Sequence, residues 1–432
     1  MRAGIEQVTD ASETSSYRNL FAIGGFPRLA SATMLARTAG GMWQVTLVLF
    51  VLARFHSPTL AGLATMLSIA PGLVVSPLAG ALLDRHGRVR MILLDYGVAA
   101  ASVSLLAVLS LLGVLSAPVM LVLLALSALT GPLSASGARS LFPLVVPRSL
   151  WDRANAVDSA SQALALVVGP AIGGLLVGWV GGEGAFFAAA ALWVLAGLAL
   201  GRFTDPIVAT AHAGSERLLR SAGQALVYVV RHTTLRGIVI TMALCNLGFG
   251  VVNLALPVLV FRHYHWGASA VGELWGVAGL ATVVSGMFAG RINTEGRERL
   301  LVVVGMGIAA AGAALLAVAG SAPLLVVGMV LTGVSSAPID LGLFALRQRR
   351  TDPAWFGRVI AISMSLNFMG FPIGSAMAGP IVDHSVMLAL LFGALLSVFA
   401  GAVTFAVIPP QPRERHGEQD ETPSEAVNAL NG

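Results

Sequence analysis

Residues 80–90 read GALLDRHGRVR, a polar stretch between two long apolar runs. Asp84, Arg85, Arg88 and Arg90 fall within seven residues of a chain that is 56% hydrophobic and only 11% charged. Soluble proteins carry roughly a quarter charged residues, so the stretch reads as a short turn joining segments that live in another solvent. Mean hydropathy is +0.83. Apolar runs of about 20 residues, each able to cross a ~30 Å hydrocarbon core as a helix, recur along most of the 432 residues. The first 27 residues are polar and hold no apolar stretch of the signal-peptide kind, so no cleavable signal is expected. The composition implies an all-α, multi-pass membrane protein.

Hydropathy places twelve spans near 29–52, 59–82, 91–113, 117–138, 156–179, 183–202, 237–260, 269–290, 300–320, 322–345, 359–382 and 386–408. All basic side chains other than histidine are Arg, with no Lys. With both termini in the cytoplasm, the inside loops hold Arg85, Arg88, Arg90, Arg148, Arg153, Arg217, Arg220, Arg231, Arg236, Arg291, Arg297, Arg299, Arg347, Arg349, Arg350 and Arg358. The outside loops hold only Arg54 and Arg262. That asymmetry is the positive-inside rule, so the net charge of +5 is a topology signal and not a nucleic-acid footprint.

The chain also repeats. Leu129-Thr130-Gly131 returns as Leu331-Thr332-Gly333 and Pro170 returns as Pro372, both 202 residues later, and Gly87-Arg88 has a counterpart in Gly296-Arg297. Two six-helix halves of like orientation are implied, with a binding site between them near the bilayer midplane. The expected division is a cytoplasmic tail (1–27), a first half (28–202), a cytoplasmic linker (203–236), a second half (237–409) and a cytoplasmic tail (410–432). In the linker, Leu218, Leu219, Ala222, Leu226, Val229 and Val230 share a helical face opposite Arg217, Arg220 and Arg231, the pattern of a surface helix on anionic headgroups. The single Cys245 excludes intramolecular disulfides and Cys-based metal clusters.

The 80–90 stretch matches the loop motif G-x-x-x-D-R-x-G-R-x-R at Gly80, Asp84, Arg85, Gly87, Arg88 and Arg90, between spans 2 and 3. On these residues the chain resembles the major facilitator superfamily. Gly80 would admit a close helix, Gly87 would supply a positive-φ turn, and Asp84 would pair with Arg88 and cap a helix N-terminus. The resemblance implies that Asp84 reaches the cytoplasmic start of span 11 and holds the halves together when the site faces outward. GPAIGG in span 5, with Gly169, Pro170, Gly173 and Gly174, is similar to the antiporter motif of the same superfamily. The wording ARSLFPLVVP, RANAVDS and FPIGSAMAGP resembles the drug:proton antiporter branch that holds macrolide-efflux and enterobactin-exporter proteins. Span 4 departs from other members in lacking an early Arg, since Arg139 lies near its cytoplasmic end.

Ionisable groups inside spans are costly and therefore point to function. Arg37, with Gly40, Gly41 and Gln44, makes a polar face on span 1 that could meet an anionic substrate or pair with a carboxylate. Asp340 in span 10 and Glu273 near the outer end of span 8 are the candidate proton-coupling carboxylates. Asp95 and Asp158 are expected to pack against the loop Arg cluster. Asn246, Gly250 and Asn253 on span 7 and Ser363 and Asn367 on span 11 form polar stripes facing protein or cavity. His56, His263, His265 and His384 all map to the outer side, where a metal site would require loops of both halves to converge.

No phosphate-binding loop, nucleophile–base set or metal-ligand cluster is present, so neither an enzyme nor an ATP-driven pump is expected, and no metal or cofactor. The expected protein is a secondary transporter of the bacterial cytoplasmic membrane. It would export a small, largely apolar compound (a drug, macrolide, siderophore or secondary metabolite) as a monomer by proton antiport, with the proton gradient as energy source. An importer or facilitator on the same fold, or a membrane sensor or scaffold that binds without transport, are the alternatives.

Overall fold

The computed structural model describes residues 17–201, 203, 223–224, 226–351 and 356–409, with 356–362 as backbone alone. The tail at 410–432, most of the tail at 1–27, and linker residues Arg217, Leu218, Leu219, Arg220 and Ala222 lie outside them. After a short helix, Tyr17–Ala22, span 1 is Phe26–Phe55, span 3 Arg88–Leu111, span 7 Thr233–Arg262 and span 8 Ala268–Ala289. Span 9 is Glu298–Val318, span 10 Ala322–Arg350, span 11 Phe356–His384 and span 12 Val386–Val407. Span 2 (Pro58–His86) and span 4 (Ala117–Val145) are each broken once. Spans 5 and 6 run on as Trp151–Leu200, about 75 Å of helix and far more than one crossing needs. Gly181, at φ 79° and ψ 173°, breaks that run into two crossings.

Each expected span is therefore present. The largest boundary difference is in span 4, which runs on to Val145 because Arg139 and Ser140 continue the helix past its apolar part. The two breaks have one cause. Pro71 and Pro132 lack an N–H and clash with the carbonyl four residues back, and the preceding helices end at Leu67 and Ala128. Between spans 2 and 3, Gly87 at φ 89° makes the tight turn. The first turn of span 3 has no side-chain cap.

Within the first half, span 1 packs on spans 5 and 6, span 3 on spans 4 to 6, and span 2 on span 4. In the second half, span 9 packs on spans 10 and 12, span 7 on 11 and 12, and span 8 on 10. Among the described residues two large seams join the halves, span 5 on span 8 and span 2 on span 11, with span 7 touching spans 1 and 2 more lightly. Both seams lie toward the side away from the Gly87 turn. On the 5–8 seam Gly174 abuts Gly272, Gly178 abuts Ser269 and Gly279 abuts Val167. On the 2–11 seam Gly62 abuts Ser375, Gly379 abuts Thr59, and Thr59 Oγ1 donates to Asp383 Oδ2 at 2.5 Å. Glycine permits these approaches because a Cβ at Gly62 or Gly174 would overlap the facing backbone.

Candidate functional site

A cavity of about 1150 Å³ lies between the first half and span 11. The two proline breaks face each other across it: Gly72 of span 2 abuts the Ala128 carbonyl of span 4, and Ser68, Ile69, Gly131 and Pro132 line the wall beside them. Its apolar surface comes from Trp43, Tyr96, Trp193, Met364, Phe368 and Met369. Span 11 joins the wall through Ser365, whose hydroxyl lies 3.4 Å from that of Ser76 on span 2. Arg139, Gly223 and Leu226 extend the wall toward the Arg-rich side, whereas the opposite side is closed by the two glycine seams.

Arg37 lines this cavity, yet its charge is already engaged. Nη2 lies 2.8 Å from Asp158 Oδ1, and Nη1 donates to the Asp158 carbonyl at 2.9 Å and to Ser161 Oγ at 2.5 Å. This corrects the expectation for Asp158: it pairs with span 1 rather than with the loop Arg cluster. Spans 1 and 5 can bring the pair together because Gly41 and Gly169 let their backbones touch.

Asp95 also departs from its expected place among the loop arginines. It is 6% exposed, lines the cavity, and accepts hydrogen bonds from Thr130 Oγ1 at 2.7 Å and from Ser134. No arginine ion-pairs with it among the described residues. Thr130 reaches it because the span 4 break lies there. The signal available in the sequence was the polar pair Asp95-Tyr96 interrupting an apolar run, opposite Thr130 at the Gly131-Pro132 break.

The other expected residues divide. Asn246 Nδ2 donates to the Met242 carbonyl at 3.0 Å and to the Asn367 carbonyl at 3.1 Å. Ser375 Oγ donates to the Gly250 carbonyl at 3.1 Å. The polar stripes of spans 7 and 11 thus join those two helices, and Asn246, Asn253 and Asn367 are not in the cavity wall. Gln44, Asp340 and Glu273 are exposed and outside that wall too. Asp340 is within electrostatic reach of Arg347 on its own helix and of Cys245 on span 7.

In the loop motif, Asp84 Oδ1 lies 3.1 Å from Arg88 Nη2. Its expected partner region, the start of span 11 with Arg358, lies outside the described side chains. A Cβ at Gly80 would meet no atom of the described residues within 4 Å. The antiporter motif is two-faced: Gly169 and Gly173 pack on span 1, and Gly174 packs on span 8. Among the described residues no three His, Cys, Asp or Glu side chains gather to hold a metal ion, and the outer histidines do not form such a site.

The sequence profile of the Major Facilitator Superfamily matches residues 29–246 and 238–431. The MFS-type transporter y4rN of Sinorhizobium fredii is 40% identical over 91% of this chain and 97% of its own length. The multidrug efflux pump Tap of Mycolicibacterium fortuitum is 28% identical over 88% of this chain and 95% of its own. Among solved structures, the nucleoside transporter NupG superposes with a TM-score of 0.71 at 12% identity, covering 89% of this chain and 99% of that one.

Proposed function

The chain belongs to the Major Facilitator Superfamily, and we propose that within it the protein exports a small, largely apolar compound in exchange for protons. The observation that carries the proposal is the apolar cavity of about 1150 Å³ between the first half and span 11, closed on one side by the glycine seams. That is the geometry alternating access requires. The Arg-rich turns and both termini are assigned to the cytoplasm of a bacterial inner membrane, because arginine retains cytoplasmic loops. With that orientation the cavity is open inward, the state in which an exporter loads.

The units 28–202 and 237–409 act as the two rocking bodies of a monomer, joined through 203–236. Asp84 is the latch of the opposite state. Here it pairs with its neighbour Arg88. Export rather than uptake is supported by the span 5 motif and by the similarity to the efflux pump Tap. Asp340 and Glu273 are the proposed proton carriers. Since neither lines the cavity, a proton on either would act on closure of the halves and not on the substrate directly.

The test uses everted membrane vesicles energised to an acid interior and read with a ΔpH-sensitive dye. Compounds of several classes are added to wild type, Asp340→Asn and Glu273→Gln. Relaxation of ΔpH by a compound in wild type, lost in one variant, supports proton-coupled export and names the carrier. Folded protein that leaves ΔpH untouched by every compound, yet equilibrates one of them across the membrane, would show a facilitator instead.

A further inference from the structure

Resting on the reading of the cavity as the transport site, we infer that its substrate is an organic cation, an amine or quaternary nitrogen on an apolar frame, anchored by Asp95. Among the described residues three charged side chains line the cavity: Arg37, Asp95 and Arg139. Arg37 is neutralised by Asp158 at 2.8 Å and has given two further hydrogen bonds from Nη1, so it offers little to an anion. Arg139 is exposed toward the Arg-rich side, where water screens it. Asp95 alone is both buried and free of an ion pair, 6% exposed, with hydroxyl donors Thr130 and Ser134 as its partners. Two hydroxyls leave part of a carboxylate's roughly four acceptor sites unused. A buried carboxylate without a counter-ion is costly, and a cation arriving in the cavity would supply what is missing.

The rest of the wall suits the same ligand. Trp43, Tyr96, Trp193 and Phe368 present aromatic surface, whose faces attract cations. Met364 and Met369 are unbranched and adapt to varied apolar frames. An anion would meet this aromatic surface and the Asp95 carboxylate, with the Arg37 guanidinium already engaged by Asp158.

The same carboxylate can take a proton, so cation and proton compete for it. The groups that could confuse such a titration can be placed. Tyr96 neighbours Asp95 on span 3 and is itself within electrostatic reach of Arg37 on span 1, which carries Asp158. Arg139 is on span 4. Asp84, Arg85 and His86 close the end of span 2 at the turn. Glu183 of span 6 accepts from Ser110 at the far end of span 3.

The experiment is equilibrium binding to the purified full chain in nanodiscs, read through tryptophan fluorescence and checked with radiolabelled probe. The probes are tetraphenylphosphonium and tetraphenylborate, which share a shape and differ in sign. Wild type should bind the cation more tightly as pH rises from 5 to 8, and Asp95→Asn should lose about ten-fold or more in affinity together with the pH dependence. Asp95→Glu should keep both, and Thr130→Val should displace the pH midpoint while leaving binding at high pH nearly intact. Thermal unfolding verifies that each variant is folded, and should Asp95→Asn fail that check, the Thr130→Val midpoint decides. Asp95→Asn with unchanged affinity and pH profile overturns the inference, as does wild type that prefers the borate or binds neither ion. In those cases, relaxation of ΔpH by a neutral compound in vesicles would leave proton-coupled export standing and remove only the cationic substrate.

Discussion

Gly174→Ala should hold the protein out of the state described here, while Gly173→Ala, one residue away, should not. The two glycines face different neighbours. A Cβ on Gly174 lands on the Cα and N of Gly272, which belongs to span 8 and the other half. A Cβ on Gly173 comes within 2.8 Å of the Met42 carbonyl oxygen and 3.2 Å of Thr46 Oγ1, both on span 1 of the same half. Neither backbone obstacle can swing aside. Overpacking of this kind costs roughly 1–3 kcal/mol. At Gly174 the strain exists only when the outer side is closed, so it enters the equilibrium between states and shifts it about 5- to 150-fold. At Gly173 it exists whenever the first half is folded, so it enters stability instead. The gain in helix propensity, about 1 kcal/mol for Gly→Ala, is present in both states and cancels from the equilibrium at Gly174. The assay is a spin-label distance across the outer side, with Ser116→Cys and Ser321→Cys in a Cys245→Ser background, since both serines are exposed on outer turns of opposite halves. Gly174→Ala should transfer population to the longer distance and slow transport. Gly173→Ala should keep the short distance and lower the unfolding temperature. An unchanged distance distribution and wild-type transport in Gly174→Ala would refute the reasoning that this glycine contact closes the outer side.

The Arg37–Asp158 pair predicts a double-mutant cycle: Asp158→Ala removes the carboxylate but leaves Arg37 its bonds to the main-chain carbonyl of residue 158 and to Ser161, and should cost about 1.5–3 kcal/mol, while adding Arg37→Met should recover part of it. Strictly additive unfolding free energies in detergent would show that the pair does not hold spans 1 and 5. On the outer 2–11 seam, Thr59→Val removes a cross-half hydrogen bond to Asp383, whose side chain is 37% exposed and already neighboured by Arg262. It should lengthen the spin-label distance less than Gly174→Ala does, because solvent replaces an exposed hydrogen bond cheaply. A larger effect would make the hydroxyl, not the glycine seam, the principal outer fastening.

What the sequence made legible follows from how local each feature is. Spans, sidedness and the 87 turn depend on hydropathy, Arg counts and one glycine, and all are carried by contiguous residues. The proline breaks of spans 2 and 4 were equally local, but their meeting across a cavity is a tertiary fact. Asp158 illustrates the limit. Its nearest charges in sequence are Arg148 and Arg153, whereas its partner Arg37 is 121 residues away and reachable only because Gly41 meets Gly169. The stripe of Asn246, Gly250 and Asn253 shows another. Its periodicity marks a face that avoids lipid, but a helix seam and a cavity wall share that requirement. Gly250, which lets the backbone of span 11 approach near Phe371, was the clue that the seam wins. Asp95 was undervalued for the opposite reason: its distance from the Arg cluster looked short along the chain, yet helical rise carries it about 10 Å above Arg88.

The placement of charge among the helices bears on how the halves can move. All four ion pairs among the described residues, Arg37–Asp158, Arg88–Asp84, Arg262–Asp383 and Arg349–Glu298, join groups within one half. Contacts between halves are of another kind: glycine against backbone, Ser76 against Ser365, and the Thr59 hydroxyl against Asp383. Ion pairs in low dielectric are expensive to form and more expensive to break, since each separated partner keeps its desolvation penalty. A seam fastened by them would need that penalty met in every cycle. Small-residue packing and neutral hydroxyls are worth about a kilocalorie per mole each or less, close to the few kcal/mol that separate interconverting states. Among the described residues the strong electrostatics thus lie inside each half, and the contacts between halves are weak and well fitted. In that arrangement Asp95, the buried cavity-lining charge that no described residue ion-pairs, is the group whose occupancy would change the energy of the cavity most.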